Sequence, residues 1–184
     1  MAELQVAFVC TGNRFRSPLA AALLAREADG LPVRIVSLGT LDLGSKPALP
    51  EAVALAQEQG LDLSGHASRT LTGVDLEPFD LVLGFERKHV MAAVVEAHSS
   101  IERTFTLPEL VGLLRRLPGP PLSADPVERA LVRIRQAHAA RPAGFRNGPL
   151  PELGDPLGQT PQNQRATAAE LSELVSALAV SLFD

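Results

Sequence analysis

The sequence predicts an α/β fold built on a parallel sheet. Short apolar runs rich in β-branched residues alternate with longer segments of helical pattern, which is the order of strands and helices in such folds. The first run, LQVAFVC at 4–10, is apolar almost throughout, as expected of a strand covered on both faces. With 184 residues, 46% hydrophobic and 21% charged, the composition is that of one globular domain over 1–184.

Each element follows from its local pattern. Strands are predicted at 4–10, 32–38, 79–85 and 103–107, and helices at 17–28, 49–59, 86–97, 108–116 and 162–183. Ser17 is a candidate N-cap for the first of these helices, with Pro18 next to it. Gly60 ends the second helix. The last helix carries leucine and valine at helical spacing on one face, which predicts a buried side.

A Pro/Gly-rich segment at about 118–151 interrupts this alternation. It has too few apolar residues to form its own core, so we treat it as an insertion in the single domain. One helix is predicted within it, from the cap Asp125 to Ala139. The arginines of this helix predict a solvated charged face; the alternative is that they lie near the pocket rim and select acidic partners.

Charge and cysteine content exclude several classes of function. A net charge of −4 gives no global field that attracts nucleic acid or an anionic membrane, so neither partner is expected. The single cysteine excludes intrachain disulfides and multi-thiolate metal sites and suits the cytoplasm. The four histidines lack metal-ligand spacing, and no GxxxxGK[ST] or GxGxxG loop is present. We therefore expect no metal and no cofactor.

The segment from Cys10 to Arg16 combines a nucleophile with an anion site. Cys10 ends the first strand and Arg16 precedes the first helix, so the loop 11–16 can turn its N–H groups toward one point beside a helix N-terminus. That field binds a phosphate-sized dianion and stabilises a thiolate. The planar guanidinium of Arg16 matches two phosphoryl oxygens.

Two further residues of this region have roles in the hypothesis. Gly12 is expected where the loop must turn tightly. Ser17 either places its hydroxyl near the sulfur or caps the helix, and the sequence is compatible with both.

Phosphoryl transfer to sulfur also requires an acid for the departing oxygen. Two Asp-Pro steps are candidates. Asp125 has the position of a helix cap, whereas Asp155 lies in the loop GDPLGQTP, where a side chain can reach over a pocket. Asp155 is therefore the predicted general acid.

These residues resemble the low-molecular-weight protein tyrosine phosphatase family. The stretch VAFVCTGNRFRSPLAAALL at 6–24 is similar to the opening of that family, and DPLG at 155–158 to its acid loop. SLGT at 37–40, GLDLSGHASR at 60–69 and FDLVLGFERKHV at 79–90 add to the likeness. The resemblance implies a flavodoxin-like four-stranded sheet with the site after the first strand, and a phosphocysteine intermediate.

The resemblance also implies roles for individual residues. Catalysis would fall to Cys10, Arg16 and Asp155. Substrate binding would fall to the loop and the serine after it: Thr11, Gly12, Asn13, Arg14, Phe15 and Ser17. Ser37 and His66 would support the loop through a hydrogen-bond network with Asn13 and Ser17. The expected partners are a phosphorylated protein, most simply one carrying phosphotyrosine, or a small phosphate monoester, with inorganic phosphate or sulfate able to occupy the loop.

The sequence also departs from that family. Phe15 stands where many members have a second, protective cysteine. The chain has no Tyr or Trp, and Leu43 and Leu157 are expected at the pocket entrance, where members acting on phosphotyrosine usually have aromatic residues. Arg14 replaces an aliphatic residue and would contact an acidic substrate or point to solvent.

Two other functions remain open at this level. An arsenate reductase would use the same cysteine and loop, with an external thiol or redoxin because no other cysteine is present. A non-catalytic phosphoprotein sensor would need the loop but not Asp155, so the acid argues against it.

Overall fold

A computed structural model describes residues 3–119, 123, 125–145 and 147–184. The elements are, in chain order, β1 (Leu4–Cys10), α1 (Arg16–Glu27), β2 (Val33–Gly39), α2 (Pro50–Glu58), β3 (Leu81–Gly84), α3 (Arg87–Val95), a 3₁₀ turn (Ile101–Arg103), β4 (Thr104–Thr106), α4 (Leu107–Leu114), α5 (Pro126–Ala139) and α6 (Pro161–Phe183). Every predicted strand and helix is present, with ends that coincide or are shifted by one or two residues.

The four strands form one parallel sheet in the order β2-β1-β3-β4. This confirms the predicted α/β fold with flavodoxin-like order. The chain leaves β1 toward β2 on one side and returns to β3 on the other, so the order reverses at β1. In such sheets the crevice at the carboxyl ends of the strands beside the reversal is where ligands bind. The loop after Cys10 lies at this point.

Helices cover both faces of the sheet. On one face, Leu4, Val6 and Phe8 of β1 belong to a core shared with α1, α2, α4, α5 and α6. On the other face, Ala7 and Val9 pack in a smaller core with α3 and residues 71–79. The alternation of β1 side chains between two buried layers explains why its sequence is apolar throughout.

The helix α6 is long and apolar enough to cross a membrane, by length and composition alone. In this structure it is the central helix of the larger core. Leu171, Val175, Leu178 and Leu182 are buried, and they lie at the helical spacing that the sequence predicted. This packing against α1, α4 and α5 is that of a core helix.

The segment at 118–151, which we expect to be an insertion, contributes α5 to the same core. Asp125 caps α5 by accepting hydrogen bonds from the N–H groups of Val127 and Glu128, as predicted. The segment is then fixed by a buried ion pair in which Arg141 donates through two nitrogens to Glu109, at 2.8 and 3.0 Å. Residues 120–122, 124 and 146 of the insertion lie outside the described residues.

The alternative placement of the α5 arginines at the pocket rim is wrong for the described part of the chain. Arg129 donates to the carbonyl of Phe183, and Arg133 to that of Ser181, because the last carbonyls of a helix lack partners within it. Arg135 lies beside Asp80 and Glu102, which precede β3 and β4. These three arginines are thus structural or lie at the end of the sheet opposite the carboxyl ends.

Candidate active site

A pocket of about 200 Å³ opens at the carboxyl end of β1. Its base is formed by the loop from Cys10 to Arg16, and Asp155 approaches from the other side of the chain. The remaining wall is apolar and consists of Leu41, Leu43, Leu49 and Leu157. The expected entrance residues Leu43 and Leu157 are therefore both at the pocket, and the three residues with proposed chemical roles share it.

The loop presents free backbone donors to this pocket. Among the described residues, no hydrogen bond occupies the N–H groups of Gly12, Arg14 and Phe15. The loop continues directly into α1, whose positive N-terminal end lies at Arg16. Free N–H groups next to a helix N-terminus form an anion site of phosphate size.

The tight turn falls on Asn13. Its φ of 51° is in the left-handed region, which asparagine adopts more readily than most residues. We expected Gly12 to serve this purpose, but Gly12 has no positive φ. The space at Gly12 matters instead, because a Cβ there would lie 3.3 Å from the Leu43 side chain.

The sulfur of Cys10 is buried and hydrogen-bonded. The exposed fraction of the residue is 3%, and its Sγ lies 3.0 Å from Ser17 Oγ and accepts from the N–H of Asn13 at 3.2 Å. The N–H of Asn13 favours negative charge on sulfur, and Ser17 Oγ, which also lies 3.2 Å from the carbonyl of Leu38, adds a second donor when its proton turns toward Sγ. Ser17 lies within the first turn of α1, and the cap position belongs to Phe15 without a side-chain hydrogen bond. Of the two roles considered for Ser17, the structure therefore shows the contact with sulfur.

A network behind the loop holds Asn13. Its side chain donates to Ser17 Oγ at 2.8 Å and accepts from the N–H of Arg69 at 2.8 Å. Its carbonyl accepts from His66 Nε2 at 2.7 Å. Ser37, expected in the same network, makes no side-chain hydrogen bond to any described residue. It lies within β2 opposite Phe8, and Phe8 is two residues before Cys10, where the loop begins.

Gly39 allows the end of β2 to approach the loop closely. A Cβ at this position would lie 2.9 Å from the backbone nitrogen of Asn13 and 3.0 Å from the carbonyl carbon of Gly12. Backbone atoms cannot move away as a flexible side chain can. The glycine of the SLGT motif is therefore required for the loop to keep its position.

Arg16 is fully buried and held by two carboxylates. Its Nη1 donates to Glu86 Oε1 at 2.6 Å and to the carbonyl of Leu153 at 3.0 Å. Its Nη2 lies 2.6 Å from Asp155 Oδ2. With 1% of its side chain exposed against 34% for Asp155, the guanidinium is fixed and the carboxylate lies at the solvent edge. Arg16 and Asp155 thus meet directly in the pocket.

Two residues of this site were not assigned from the sequence, Glu86 and His89. Burial alone would raise the pKa of Glu86, but hydrogen bonds from Arg16 and Lys88 outweigh it and the pKa is lowered. Glu86 therefore stays ionised as the permanent counter-charge of Arg16. Both residues follow β3, which is the neighbour of β1 in the sheet. They lie within FDLVLGFERKHV at 79–90, so the stretch was part of the family resemblance, but no role was assigned to either side chain.

His89 is a neutral, oriented side chain. Burial, followed by the charge of Arg16, lowers its pKa to about 4. Its Nδ1 accepts from the N–H groups of Phe85 and Glu86, so the ring proton resides on Nε2, 3.0 Å from Thr11 Oγ1. Because Thr11 Oγ1 accepts from His89 and faces Arg16 Nη2 at 3.4 Å, its own hydroxyl proton is free for an acceptor in the pocket.

The acid loop is tied to the same strands. The N–H of Leu153 donates to the carbonyl of Phe85 at 2.8 Å, and Glu152 accepts from the N–H of Arg87 at 2.7 Å. Asp155 Oδ1 accepts from the N–H of Leu157 at 3.1 Å, which fixes the carboxyl at the start of the turn. Asp125 is a helix cap within the insertion, so the structure brings Asp155 and not Asp125 to Cys10.

A family model for low molecular weight phosphotyrosine protein phosphatases matches residues 5–117, which is more than half of the chain. The chain belongs to this family. The resemblance found in the sequence is thereby confirmed, and Cys10, Arg16, Glu86 and His89 lie within the matched residues. The acid loop at 155–158 follows the matched range.

Individual relatives of this phosphatase family member share part of its sequence. It is 38% identical over 93 residues to the low molecular weight protein-tyrosine-phosphatase Etp of Escherichia coli, covering 49% of this chain and 62% of that protein. It is 36% identical over 110 residues to the protein-arginine-phosphatase of Bacillus subtilis, covering 59% of this chain and 73% of that protein. The chain thus spans somewhat less than two thirds of the length of Etp.

Solved structures agree with the fold over nearly the whole chain. A YwlE mutant from Bacillus subtilis is 28% identical, with a TM-score of 0.72 over 99% of this chain and 100% of that one. A YwlE arginine phosphatase with cysteine replaced by serine, which carries a phosphorylated active-site serine, has a TM-score of 0.69 at 28% identity over 97% of this chain and 95% of that one.

Proposed function

We propose that this chain is a phosphatase that hydrolyses phosphate monoesters through a phosphocysteine intermediate and acts on phosphotyrosine in proteins. The observation that carries the proposal is the meeting of Cys10, Arg16 and Asp155 in one pocket, above a loop with free N–H donors. A binder of phosphate would need the loop and Arg16, but it would have no use for a carboxylic acid at the pocket edge. The phosphoserine described in the solved arginine phosphatase mutant supports a covalent step at this position.

In the first step the thiolate of Cys10 attacks phosphorus. The P–S bond forms as the P–O bond to the leaving group breaks, and Asp155 gives its proton to the departing oxygen. The N–H groups of the loop and the guanidinium of Arg16 hold the equatorial oxygens, whose charge they stabilise. The hydroxyl proton of Thr11, freed by the contact with His89, is a further donor.

In the second step water attacks the phosphocysteine. Asp155, now a carboxylate, accepts a proton from the water, and the P–S bond breaks to return the thiolate. Ser17 Oγ, 3.0 Å from the sulfur, stabilises this leaving thiolate. The product is inorganic phosphate, and the enzyme returns to its first state without any cofactor.

Arg16 and Asp155 must separate during this cycle. While Asp155 Oδ2 lies 2.6 Å from Arg16 Nη2, this oxygen cannot donate a proton and this nitrogen cannot bind phosphate. A phosphoryl dianion in the loop would take the place of Asp155 at Nη2, because it offers more charge to a buried guanidinium. Glu86 would continue to hold Nη1, so Arg16 turns little.

The wall of the pocket favours an aryl phosphate over a phosphorylated guanidinium. Its leucines accept a flat apolar ring, and Arg14 is held there by a hydrogen bond from its Nε to the carbonyl of Pro47 at 2.8 Å. A fixed guanidinium at the wall repels the cationic group of phosphoarginine. Phosphoarginine is the second candidate, because one relative is a protein-arginine-phosphatase.

The test compares substrates on one enzyme preparation. Matched peptides carrying phosphotyrosine or phosphoarginine, a small aryl phosphate, and arsenate with an external thiol or redoxin are measured in parallel. We expect the highest kcat/KM with the phosphotyrosine peptide. Higher kcat/KM with phosphoarginine would overturn the substrate class, and turnover of arsenate alone would make the chain an arsenate reductase.

Variants then test the mechanism. Cys10→Ser should abolish turnover and retain phosphate binding, since serine is not ionised at neutral pH. Asp155→Asn should slow esters with poor leaving groups by roughly 10²- to 10⁴-fold, whereas Asp125→Asn is the matched control with wild-type rates. A trapped phosphocysteine in the wild type, absent in Cys10→Ser, is the direct evidence. A chelator should leave the rate unchanged.

A thiol nucleophile of this kind suits the reducing cytoplasm, where we propose that the protein acts.

A further inference from the structure

A second cleft lies beside the catalytic pocket, at the open edge of the sheet. It has a volume of about 550 Å³, and its floor is apolar, with Val36, Leu38, Val74 and Phe79. Arg34 and Arg69 stand at its rim. We call it the edge cleft. The catalytic steps described above use none of these residues.

The edge cleft is positive although the protein as a whole is negative. Arg34 and Arg69 are both exposed, and neither guanidinium has a hydrogen bond or ion pair with any residue that the structure describes. Asp42 is the one carboxylate on the lining, and its Oδ1 accepts from the N–H of Gly44. With a net charge of −4 on the chain, two unpaired arginines on an apolar cleft mark a surface for an anionic partner.

The backbone of β2 is open along this cleft. β2 is an edge strand, and Gly39 turns its N–H and carbonyl outward to Arg69 and Leu71. In a parallel strand every second residue faces the same way, so Ile35 and Ser37 present their N–H and carbonyl groups outward too. Over the described ranges of the chain these four groups have no partner. An extended peptide adds to such an edge as a further strand.

One short loop separates the edge cleft from the catalytic pocket. Leu41 and Leu43 line the catalytic pocket, whereas Asp42, Gly44 and Ser45 line the edge cleft. A protein chain with its phosphoryl group on Cys10 has only to cross this loop to reach β2. The two sites therefore suit two parts of one ligand.

We propose that the edge cleft binds an acidic, extended segment of the protein substrate, which pairs with β2 and places its carboxylates on Arg34 and Arg69. This inference rests on the proposed function for the identity of the ligand, but not for the docking itself. The edge cleft would select among proteins that carry phosphotyrosine, while the small catalytic pocket contacts only the phosphorylated side chain.

The binding is tested without catalysis. An unphosphorylated peptide of eight residues with alternating Glu and Val is titrated into the ¹⁵N-labelled wild-type chain, beside a peptide with Gln in place of Glu. We expect the acidic peptide to shift the amide resonances of Ile35 and Ser37, and the shifts to vanish in Arg34→Ala. Arg115→Ala, an exposed arginine on another face, is the matched control. Shifts confined to the catalytic pocket, or equal for both peptides, would overturn the proposal.

The consequence for turnover is tested separately. Phosphotyrosine peptides with a Glu-rich or a Gln-rich segment, before or after the phosphorylated residue, are compared in kcat/KM. We expect about a two- to fivefold advantage for one Glu-rich arrangement, the upper part of the range for exposed ion pairs. This advantage should be lost in Arg34→Ala, with aryl phosphate rates unchanged. An advantage in kcat/KM that survives in Arg34→Ala would overturn the proposal. A shift of the β2 amide resonances that depends on protein concentration would also overturn it, because the edge strand would then bind a second copy of the chain. If no aryl phosphate is hydrolysed, the proposed function fails while the titration still decides the docking.

Discussion

The pH dependence of stability should report the buried state of His89. Its pKa is lowered to about 4 in the folded chain, against about 6.5 for an exposed histidine. Between these two values the unfolded chain binds a proton at this position and the folded chain does not. The folded state therefore has its full stability above pH 6.5 and loses it as the pH falls toward 4. At 1.36 kcal/mol per unit, the loss from this residue amounts to about 3 kcal/mol.

The assay is urea unfolding at a series of pH values, followed by far-UV circular dichroism because the chain has no Trp or Tyr. His89→Asn keeps an acceptor for the N–H groups of Phe85 and Glu86 but does not titrate in this range. As the pH is lowered from 6.5 toward 4, we expect the free energy of unfolding to decrease more steeply for the wild type than for His89→Asn. His98→Asn, at a histidine with 75% of its side chain exposed, should keep the wild-type slope. Parallel slopes for wild type and His89→Asn would refute the reasoning.

Three further outcomes are expected. Gly39→Ala would place a Cβ 2.9 Å from the nitrogen of Asn13, so it should lower the free energy of unfolding by about 1–3 kcal/mol and greatly reduce kcat. The control Gly65→Ala, with open space around it, should change both little. Equal kcat values for the two variants would contradict this expectation. Arg141→Leu leaves Glu109 buried without its partner and should destabilise by about 3–5 kcal/mol, with Arg115→Leu as control; a loss below 1 kcal/mol by the same unfolding assay would count against it. Peroxide should inactivate the enzyme irreversibly, since the only cysteine is Cys10; recovery of activity with dithiothreitol would disprove it.

Local sequence was sufficient for the half of the site that is contiguous in the chain. A buried strand, a loop with Cys10 and Arg16, and a helix follow one another within 24 residues, and their geometry depends on little else. The acid Asp155 could also be identified, because a helix cap and a loop residue differ in their local pattern. These parts carry their own signals.

The residues around Arg16 could not be found in this way. Glu86 and His89 reach the site only because β3 pairs with β1, and strand order is a tertiary property. The supporting role predicted for Ser37 was wrong for a related reason. A strand alternates its side chains between two faces, so membership of a motif next to the loop does not decide whether a side chain points toward it.

The arginines of α5 show a further limit. Their spacing on the helix surface is compatible with a binding face, yet Arg129 and Arg133 reach the last carbonyls of α6. Such carbonyls need donors wherever a helix ends inside a protein. The end of α6 is separated from α5 by more than 40 residues of sequence, so only the folded chain shows which donors meet it. Arg34 and Arg69, whose guanidiniums have no partner among the described residues, were not prominent in the sequence.

The contact between Arg16 and Asp155 leads to a last prediction, about phosphate affinity. In the free protein Asp155 occupies Arg16 Nη2 at 2.6 Å, so phosphate has to displace a charge-assisted hydrogen bond and approach a carboxylate. Asp155→Asn retains the shape of the side chain but removes its negative charge, which leaves a weaker, neutral hydrogen bond for phosphate to displace and no carboxylate beside it. A charge-assisted hydrogen bond contributes about 1.5–3 kcal/mol, and 1.4 kcal/mol corresponds to tenfold in affinity, so Asp155→Asn should bind inorganic phosphate at least about tenfold more tightly.

Isothermal titration of phosphate into wild type, Asp155→Asn and the distant Asp125→Asn would measure this difference. The wild type and Asp125→Asn should agree. If Asp155→Asn bound phosphate no more tightly than the wild type, Asp155 would not compete for Arg16, and its removal from the guanidinium could not be the event that frees it to act as the acid. Asp155→Asn is thus expected to lose the ability to protonate a leaving group and, at the same time, to gain affinity for inorganic phosphate. A gain in phosphate affinity is expected only if phosphate displaces Asp155 from Arg16, and not if Asp155 lies near the pocket without this contact.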